Sequence, residues 1–241
     1  MRVVKLFFFC TLFPFFPLFL LGQDYRYAPE VKGTFIKNRY YCLDFNVEHK
    51  QPNWVYYMLT QTHISGSTPR SSTFKDCRQG DIVSASQKDY QGSGYDRGHL
   101  CPAADMKLSA EAMKESFQMW NIAPQEPSFN RGKWSDLEDL VRSYIKSETD
   151  TLFVVTGSLF IHNKGSIGAG KVTVPGFYYK AIYSPQKGGI GFLLPNQKIT
   201  SPLQSWQVSI ALIEALTGID FFPQLPKEQQ ARIESQVTWW E

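Results

Sequence analysis

An α+β fold is predicted from three features of the chain. Five runs rich in aromatic and β-branched residues, at 39–46, 54–60, 151–157, 176–183 and 189–194, suit strands. Residues 131–147 repeat apolar side chains at spacings of three and four, the mark of an amphipathic helix. No repeat, low-complexity stretch or Pro/Gly/Ser linker divides the chain after residue 22. With 43% hydrophobic and 20% charged residues it can enclose one substantial core. A single domain over 23–241 is therefore expected.

The opening stretch is different in character. MRVVKLFFFCTLFPFFPLFLLG carries Arg2 and Lys5, then runs from Leu6 to Leu21 without a charge. A spanning helix wants about 20 apolar residues; this run is shorter and holds Pro14 and Pro17, which interrupt helices. The layout is that of a signal peptide over 1–22, cleaved near Gly22 or Gln23, so export to the periplasm or beyond is expected. Cys10 lacks the small residues before it that lipid attachment needs. Loss of Arg2 and Lys5 from the 25 basic residues leaves 23 against 22 acidic ones. That near-neutral balance neither announces nor excludes a polyanionic partner, because phosphate contacts depend on where Lys and Arg cluster. Cys42, Cys77 and Cys101 remain, enough for one disulfide and one thiol left over; the sequence does not choose the pair, and Cys42 with Cys77 is preferred because Cys101 lies two residues past His99.

After the first two strands, joined by the polar EHKQPN, residues 61–98 are rich in Ser, Gly, Thr and Asp and read as mostly surface loop. Loops on a rigid scaffold are where sites tend to lie. Residues 109–118 (SAEAMKESFQ) begin on a serine and space Ala, Met and Phe for a short helix. In 131–147 the stripe is Trp134, Leu137, Leu140, Val141, Tyr144 and Ile145, with Asn130 placed as the N-cap. Helices near 207–217 and 227–235 close the chain, the first stopped by Gly218.

Two segments concentrate chemistry. Tyr95 to Met106, YDRGHLCPAADM, packs an acid, a guanidinium, a glycine and an imidazole together. Read alone, Asp96 and Arg97 are a surface ion pair and His99 a satisfied loop histidine, since only context makes an imidazole catalytic. The second segment, NIAPQEPSFNRGKWSDLEDLVR, runs from Asn121 to Arg142. Asn130, Glu138 and Arg142 fall at the start, after two turns and after three turns of one predicted helix, so they share a sector beside its buried stripe. Read alone, Asn130 is only a cap, and Glu138 with Arg142 an i,i+4 pair worth about 0.2–0.5 kcal/mol.

Together these segments resemble the DNA/RNA non-specific endonucleases, relatives of endonuclease G that carry a ββα-metal, or His-Me finger, site. The tetrad Asp96-Arg97-Gly98-His99 matches the family's DRGH signature, and NIAPQ, Asn130, Trp134 and Leu137-Glu138 match its second block. The likeness continues through Arg70, Phe74 and Asp76, VVTGSLF at 154–160, VPGFYYKAIY at 174–183, GFLLPN at 191–196 and VSIALIEALTGIDFFPQL at 208–225. It covers roughly Tyr40 to Leu225. Ser158 stands where family members often have proline after VTG.

The resemblance implies a mixed or antiparallel central sheet flanked by helices, with a ββα-metal finger. It implies hydrolysis of DNA and RNA, single- and double-stranded, to 5′-phosphate and 3′-hydroxyl ends. His99 matches the general base, a task suited to imidazole. Asn130 matches the residue that holds one Mg2+, which Mn2+ can replace; a sparse site suits Mg2+ because that ion keeps several waters. Arg97, Arg70 and Arg142 match positions facing the phosphate, where a planar fork grips two oxygens. Glu138 matches a carboxylate that orients coordinated water or the arginines, and Asn121 a second amide beside the metal. Asp96 is expected to be structural, and Gly98 to allow close backbone approach or positive φ. Related enzymes are often homodimers.

The sequence lacks a recognition-helix pattern, zinc-finger spacing and an RNP-type aromatic motif, so contacts are expected to fall on backbone phosphate and sugar, without sequence preference. A zinc enzyme built from His63, His99 and His162 finds no HExxH or Cys/His spacing in its favour. A serine hydrolase finds no GxSxG. The remaining alternative is a non-catalytic nucleic-acid-binding protein on the same scaffold.

Overall fold

The computed structural model describes residues 24–240; the leader expected over 1–22 lies outside them. Strands β1 (Thr34–Lys37), β2 (Cys42–Asn46) and β3 (Gln51–Thr60) form a meander followed by helix α1 (Gln61–Ser65). A small hairpin, β4 (Arg78–Gln79) with β5 (Ile82–Val83), precedes β6 (Asp96–His99), α2 (Ala110–Ser116) and β7 (Ile122–Gln125). A wide π-helical turn at Phe129–Trp134 leads into α3 (Ser135–Ser143). Then come β8 (Thr151–Leu159), the hairpin of β9 (Ser166–Ile167) and β10 (Val172–Thr173), β11 (Phe177–Ser184) and β12 (Gly188–Pro195). Strand β13 (Gln207–Val208) and helices α4 (Ile210–Thr217) and α5 (Lys227–Ser235) complete the chain.

Seven strands form one sheet in the order β1-β2-β3-β8-β11-β12-β13, every neighbouring pair antiparallel. Side chains alternate between its faces, and both faces are apolar, so both must be covered. Leu43, Phe45, Val55, Tyr57, Val154, Tyr178 and Ile182 pack with Trp120, Phe129, Trp134 and Leu137. On the other face Trp54, Tyr56, Phe153, Val155 and Tyr179 pack with Ile210 and Ile213 of α4, Phe221, Phe222, and Ile233 of α5. Each fully buried Val, Leu, Ile or Phe contributes about 1.5–3 kcal/mol before chain entropy is set against it. The result is three layers, with the chemistry-bearing segments in one outer layer.

That layer is built on β6 and β7, which pair antiparallel with Asp96 opposite Gln125 and His99 opposite Ile122. Gly98 is required by close approach: a Cβ there would lie 2.2 Å from the Gln125 side chain. The end of β7 is pinned to the sheet. Tyr178 OH donates to the Pro124 carbonyl at 2.7 Å, and the Asn196 amide donates to the Pro124 and Pro175 carbonyls at 3.1 and 3.0 Å. Asn196 Oδ1 accepts the Glu126 N–H at 2.8 Å.

Residues 61–98 are mostly surface loop, as expected, holding only α1, the β4–β5 hairpin, a short 3-10 turn at Gln87–Tyr90 and the start of β6, elements too short for a periodicity to register. Two expectations need correction. The helix expected over 131–147 is interrupted: Gly132 takes φ −118°, ψ −110°, and the regular helix starts only at Ser135. Asn130 therefore lies inside the π-helical turn and is no N-cap; Glu126 Oε2 instead accepts the Phe129 N–H at 2.9 Å. Finally, Cys42, Cys77 and Cys101 are free thiols. Cys42 faces the α4–α5 side of the sheet, whereas Cys77 and Cys101 belong to the opposite core. The sheet stands between the expected partners, and a disulfide needs Cα atoms within about 7 Å.

Candidate active site

Strand alternation along β6 puts Arg97 and His99 on one face and Asp96 with Gly98 on the other. His99 packs in a cluster with two phenylalanines, its ring centroid 5.6 Å from Phe74 and 4.7 Å from Phe117, which lie 4.9 Å from each other. Its Nε2 is buried and has no hydrogen-bond partner. Burial, and then the positive charge of Arg70, push its pKa down to about 3. Nothing in the cluster compensates a second proton on the ring, so the imidazole is held neutral.

Both aromatic walls also carry exposed arginines. The Arg97 guanidinium lies 4.5 Å over the Phe74 ring, and that of Arg70 lies 5.3 Å over Phe117. Stacking leaves a guanidinium's N–H fork free for an anion. The charge of Arg70 is felt by Glu138 as well as by His99, which draws the loop arginine, the imidazole and α3 into one neighbourhood.

Asn130 is positioned by its backbone and by Asp96. Its N–H bonds the Glu126 carbonyl at 2.9 Å, and its Nδ2 donates to Asp96 Oδ2 at 2.9 Å. A carboxylate only accepts, so Asp96 dictates which end of the amide faces it and leaves Oδ1 as an unused oxygen ligand. Arg131 grips the same carboxylate at 2.8 and 2.6 Å. Although burial opposes it, the Arg131 and Asn130 hydrogen bonds hold the Asp96 carboxyl below its ordinary range. Asp96 is thus structural, as expected. An amide oxygen suits a hard cation such as Mg2+. Among the described residues the cluster of three carboxylates able to meet one ion, Glu214, Asp220 and Glu234, lies in the opposite layer. A site offering so few protein ligands fits an ion that keeps most of its water.

Two expected site residues are engaged elsewhere. Asn121 is fully buried: its Oδ1 accepts the Cys101 N–H at 2.8 Å, and its Nδ2 donates to the Cys101 and Ser116 carbonyls at 2.8 and 2.9 Å. It fastens the loop after His99 and offers nothing to metal or substrate. Arg142 turns inward, to Asp105 at 2.7 Å and Asp139 at 2.5 Å. Burial works against its charge, but the Asp105 carboxylate outweighs this and raises its pKa. It anchors α3 and does not face solvent phosphate. Glu138 is half-buried on α3. Burial and Asp105 push its pKa up to about 7, against the opposing charges of Lys180, Arg142 and Arg70.

Sequence reasoning assigned no role to Phe74, Phe117, Asp105 or Lys180, which shape this region. The visible signal was Lys180, a lone charge inside the apolar strand YYKAIY. Phe74 stood out only as a matched position of the resemblance and Phe117 not at all, because core aromatics look the same in sequence wherever they pack.

A buried imidazole among apolar rings, exposed guanidiniums stacked on those rings, and an amide-bearing turn bonded to Asp96 on the same strand suit chemistry on an anionic ester. The family model for DNA/RNA non-specific endonuclease matches residues 24–228, and the chain belongs to that family. It is 36% identical over 209 residues to the mitochondrial nuclease EXOG of Xenopus laevis, covering 78% of this chain but 58% of that protein's length. With nuclease C1 of Cunninghamella echinulata var. echinulata it shares 34% identity, over 82% of this chain and 86% of the relative. Human mitochondrial endonuclease G is 31% identical over 77% of this chain and 68% of its own length. Among solved structures, a chain from the EndoG/EndoGI inhibition complex superimposes with a TM-score of 0.75 at 29% identity, covering 82% of this chain and 89% of that one.

Proposed function

We propose that this protein is an exported, Mg2+-dependent endonuclease that hydrolyses DNA and RNA without sequence preference, with His99 as general base. The observation that carries the reading is the buried His99 ring, packed against the two phenylalanines that also seat Arg70 and Arg97. His99 takes a proton from water as the water oxygen bonds phosphorus and the P–O3′ bond breaks, leaving 5′-phosphate and 3′-hydroxyl ends. Arg97 and Arg70 neutralise the phosphoryl oxygens. A phosphate against Arg70 also offsets one of the two influences that depress His99, so the ring's proton affinity rises when substrate is present. Asn130 Oδ1 would hold the Mg2+ ion, or Mn2+ in its place. When bound, that ion supplies Lewis-acid polarisation of the phosphate and stabilises the departing 3′ oxygen. Export rests on the leader-like composition of residues 1–22.

Digestion of plasmid DNA, single-stranded DNA and RNA on agarose gels tests the whole reading. With Mg2+ all three are expected to be degraded to ends without a sequence bias, and EDTA is expected to stop it. Binding without cutting in Mg2+ would establish the non-catalytic alternative.

The pH profile tests the assignment of Glu138. As a raised carboxyl with a pKa of about 7, it loses its charge as pH falls through that value. The acid limb of kcat is therefore expected near pH 7, and Glu138→Gln should remove that limb along with most of the activity. A limb that survives unchanged in Glu138→Gln belongs to another group.

A further inference from the structure

Lys180 is fully buried in the middle of β11, on the sheet face shared with Tyr178 and Ile182. Its Nζ donates to Thr156 Oγ1 of β8 at 2.8 Å and lies 4.7 Å over the Trp134 ring. Trp134 precedes Glu138 by four residues at the head of α3, so the two stand one helical turn apart on one face. The ammonium over Trp134 thus lies on the sheet side of α3, close enough for its charge to act on Glu138. Beside it, Asp105 accepts from Tyr57 OH at 3.0 Å and from Arg142 at 2.7 Å. The compartment thus holds two carboxylates and two cations, and Lys180 is the cation furthest from water.

An ammonium is taken out of water at a cost of several kcal/mol unless it is matched. Thr156 is a neutral acceptor and the Trp134 ring only a partial one, so the matching charge must come from Glu138 and Asp105. Burial lowers the Lys180 pKa, and those two carboxylates are the main influences restoring it. We infer that Lys180 is a positioning residue for the proposed hydrolysis: its ammonium, fixed by Thr156 beneath α3, offsets Asp105 and keeps Glu138 a carboxylate. This rests on the nuclease reading above. The groups acting on Glu138 are Lys180 from β11, Asp105 from the turn after β6, Arg142 on α3 itself and Arg70 from the long loop. Without Lys180, the buried Asp105 and the half-buried Glu138 would share Arg142, and Glu138 would take up a proton at higher pH.

The test measures kcat and KM on a fluorogenic DNA oligonucleotide from pH 5 to 9 at saturating Mg2+, for the wild type, Lys180→Met, Asp105→Asn and the double variant. Lys180→Met is expected to move the acid limb up by about one pH unit or more, a roughly fivefold loss of kcat at about pH 7 and a roughly tenfold loss well below it, with KM changed less than about threefold. Asp105→Asn removes the competing negative charge and is expected to move the limb down. The double variant should return it toward the wild type. A Lys180→Met profile that superimposes on the wild type overturns the inference. Should Lys180→Met fail to fold, Asp105→Asn decides: a downward limb supports the inference and an unmoved one overturns it. Loss of packing alone would lower the melting temperature and leave the limbs in place. A wild type that cuts nothing in Mg2+ refutes the nuclease reading; an active wild type with unmoved limbs refutes only the role of Lys180.

Discussion

Replacement of His99 by alanine is expected to lower turnover on DNA by about 10²–10⁴, the usual loss for a general base, while affinity for DNA changes little. The separation follows from where the side chain sits. His99 is 7% exposed, whereas Arg70 and Arg97, which meet the phosphate, are exposed on the outer sides of its aromatic walls. Turnover at saturating substrate, and DNA binding by fluorescence anisotropy in EDTA, read the two effects apart. Removing the ring leaves a gap beside Phe74 and Phe117, so a melting curve accompanies each variant. Collapse of binding with a near-normal residual rate would show His99 to be a substrate contact and the base to lie elsewhere.

Asn130→Ala is expected to have the second largest effect. It removes the one unused amide oxygen that Asp96 orients, so the Mg2+ concentration for half-maximal activity should rise by at least roughly 10² and turnover at moderate Mg2+ should fall accordingly. Asp96→Asn should produce a smaller shift of the same kind, of about 10–100-fold, because the Asn130 amide keeps its oxygen but faces a neutral group that can present N–H as readily as C=O. A Mg2+ midpoint in Asn130→Ala equal to that of the wild type would remove Asn130 from the metal's coordination. The pair of variants separates holding an ion from aiming the group that holds it.

Much of this protein is legible along the chain. The central strands are long and rich in aromatic and β-branched residues, and β8, β11 and β12 appear close to their expected bounds. Gly218 ends α4 with φ +67°, the left-handed C-cap that its position suggests. The DRGH tetrad and the block containing Asn130 are local patterns, and β6–β7 with the following helix brings them into one layer. The stretch 131–147 is less legible: Gly132 breaks the periodicity, so Asn130 leaves the regular helix that carries Glu138 and Arg142.

Residue types and their spacing determined the α+β class, the family and the identity of the polar groups, since these depend on periodicity and short-range order. Only the tertiary structure decided which of those groups are available. Asn121 and Arg142 carry the right chemistry but spend it on Cys101, Ser116, Asp105 and Asp139, while Phe74, Phe117 and Lys180 set the surroundings of His99 and Glu138 from remote positions. The reason is that desolvation and charge pairing act through space over a few ångströms. Their strength is set by which side chains the packed sheet and helices bring together, and separation along the chain does not encode it.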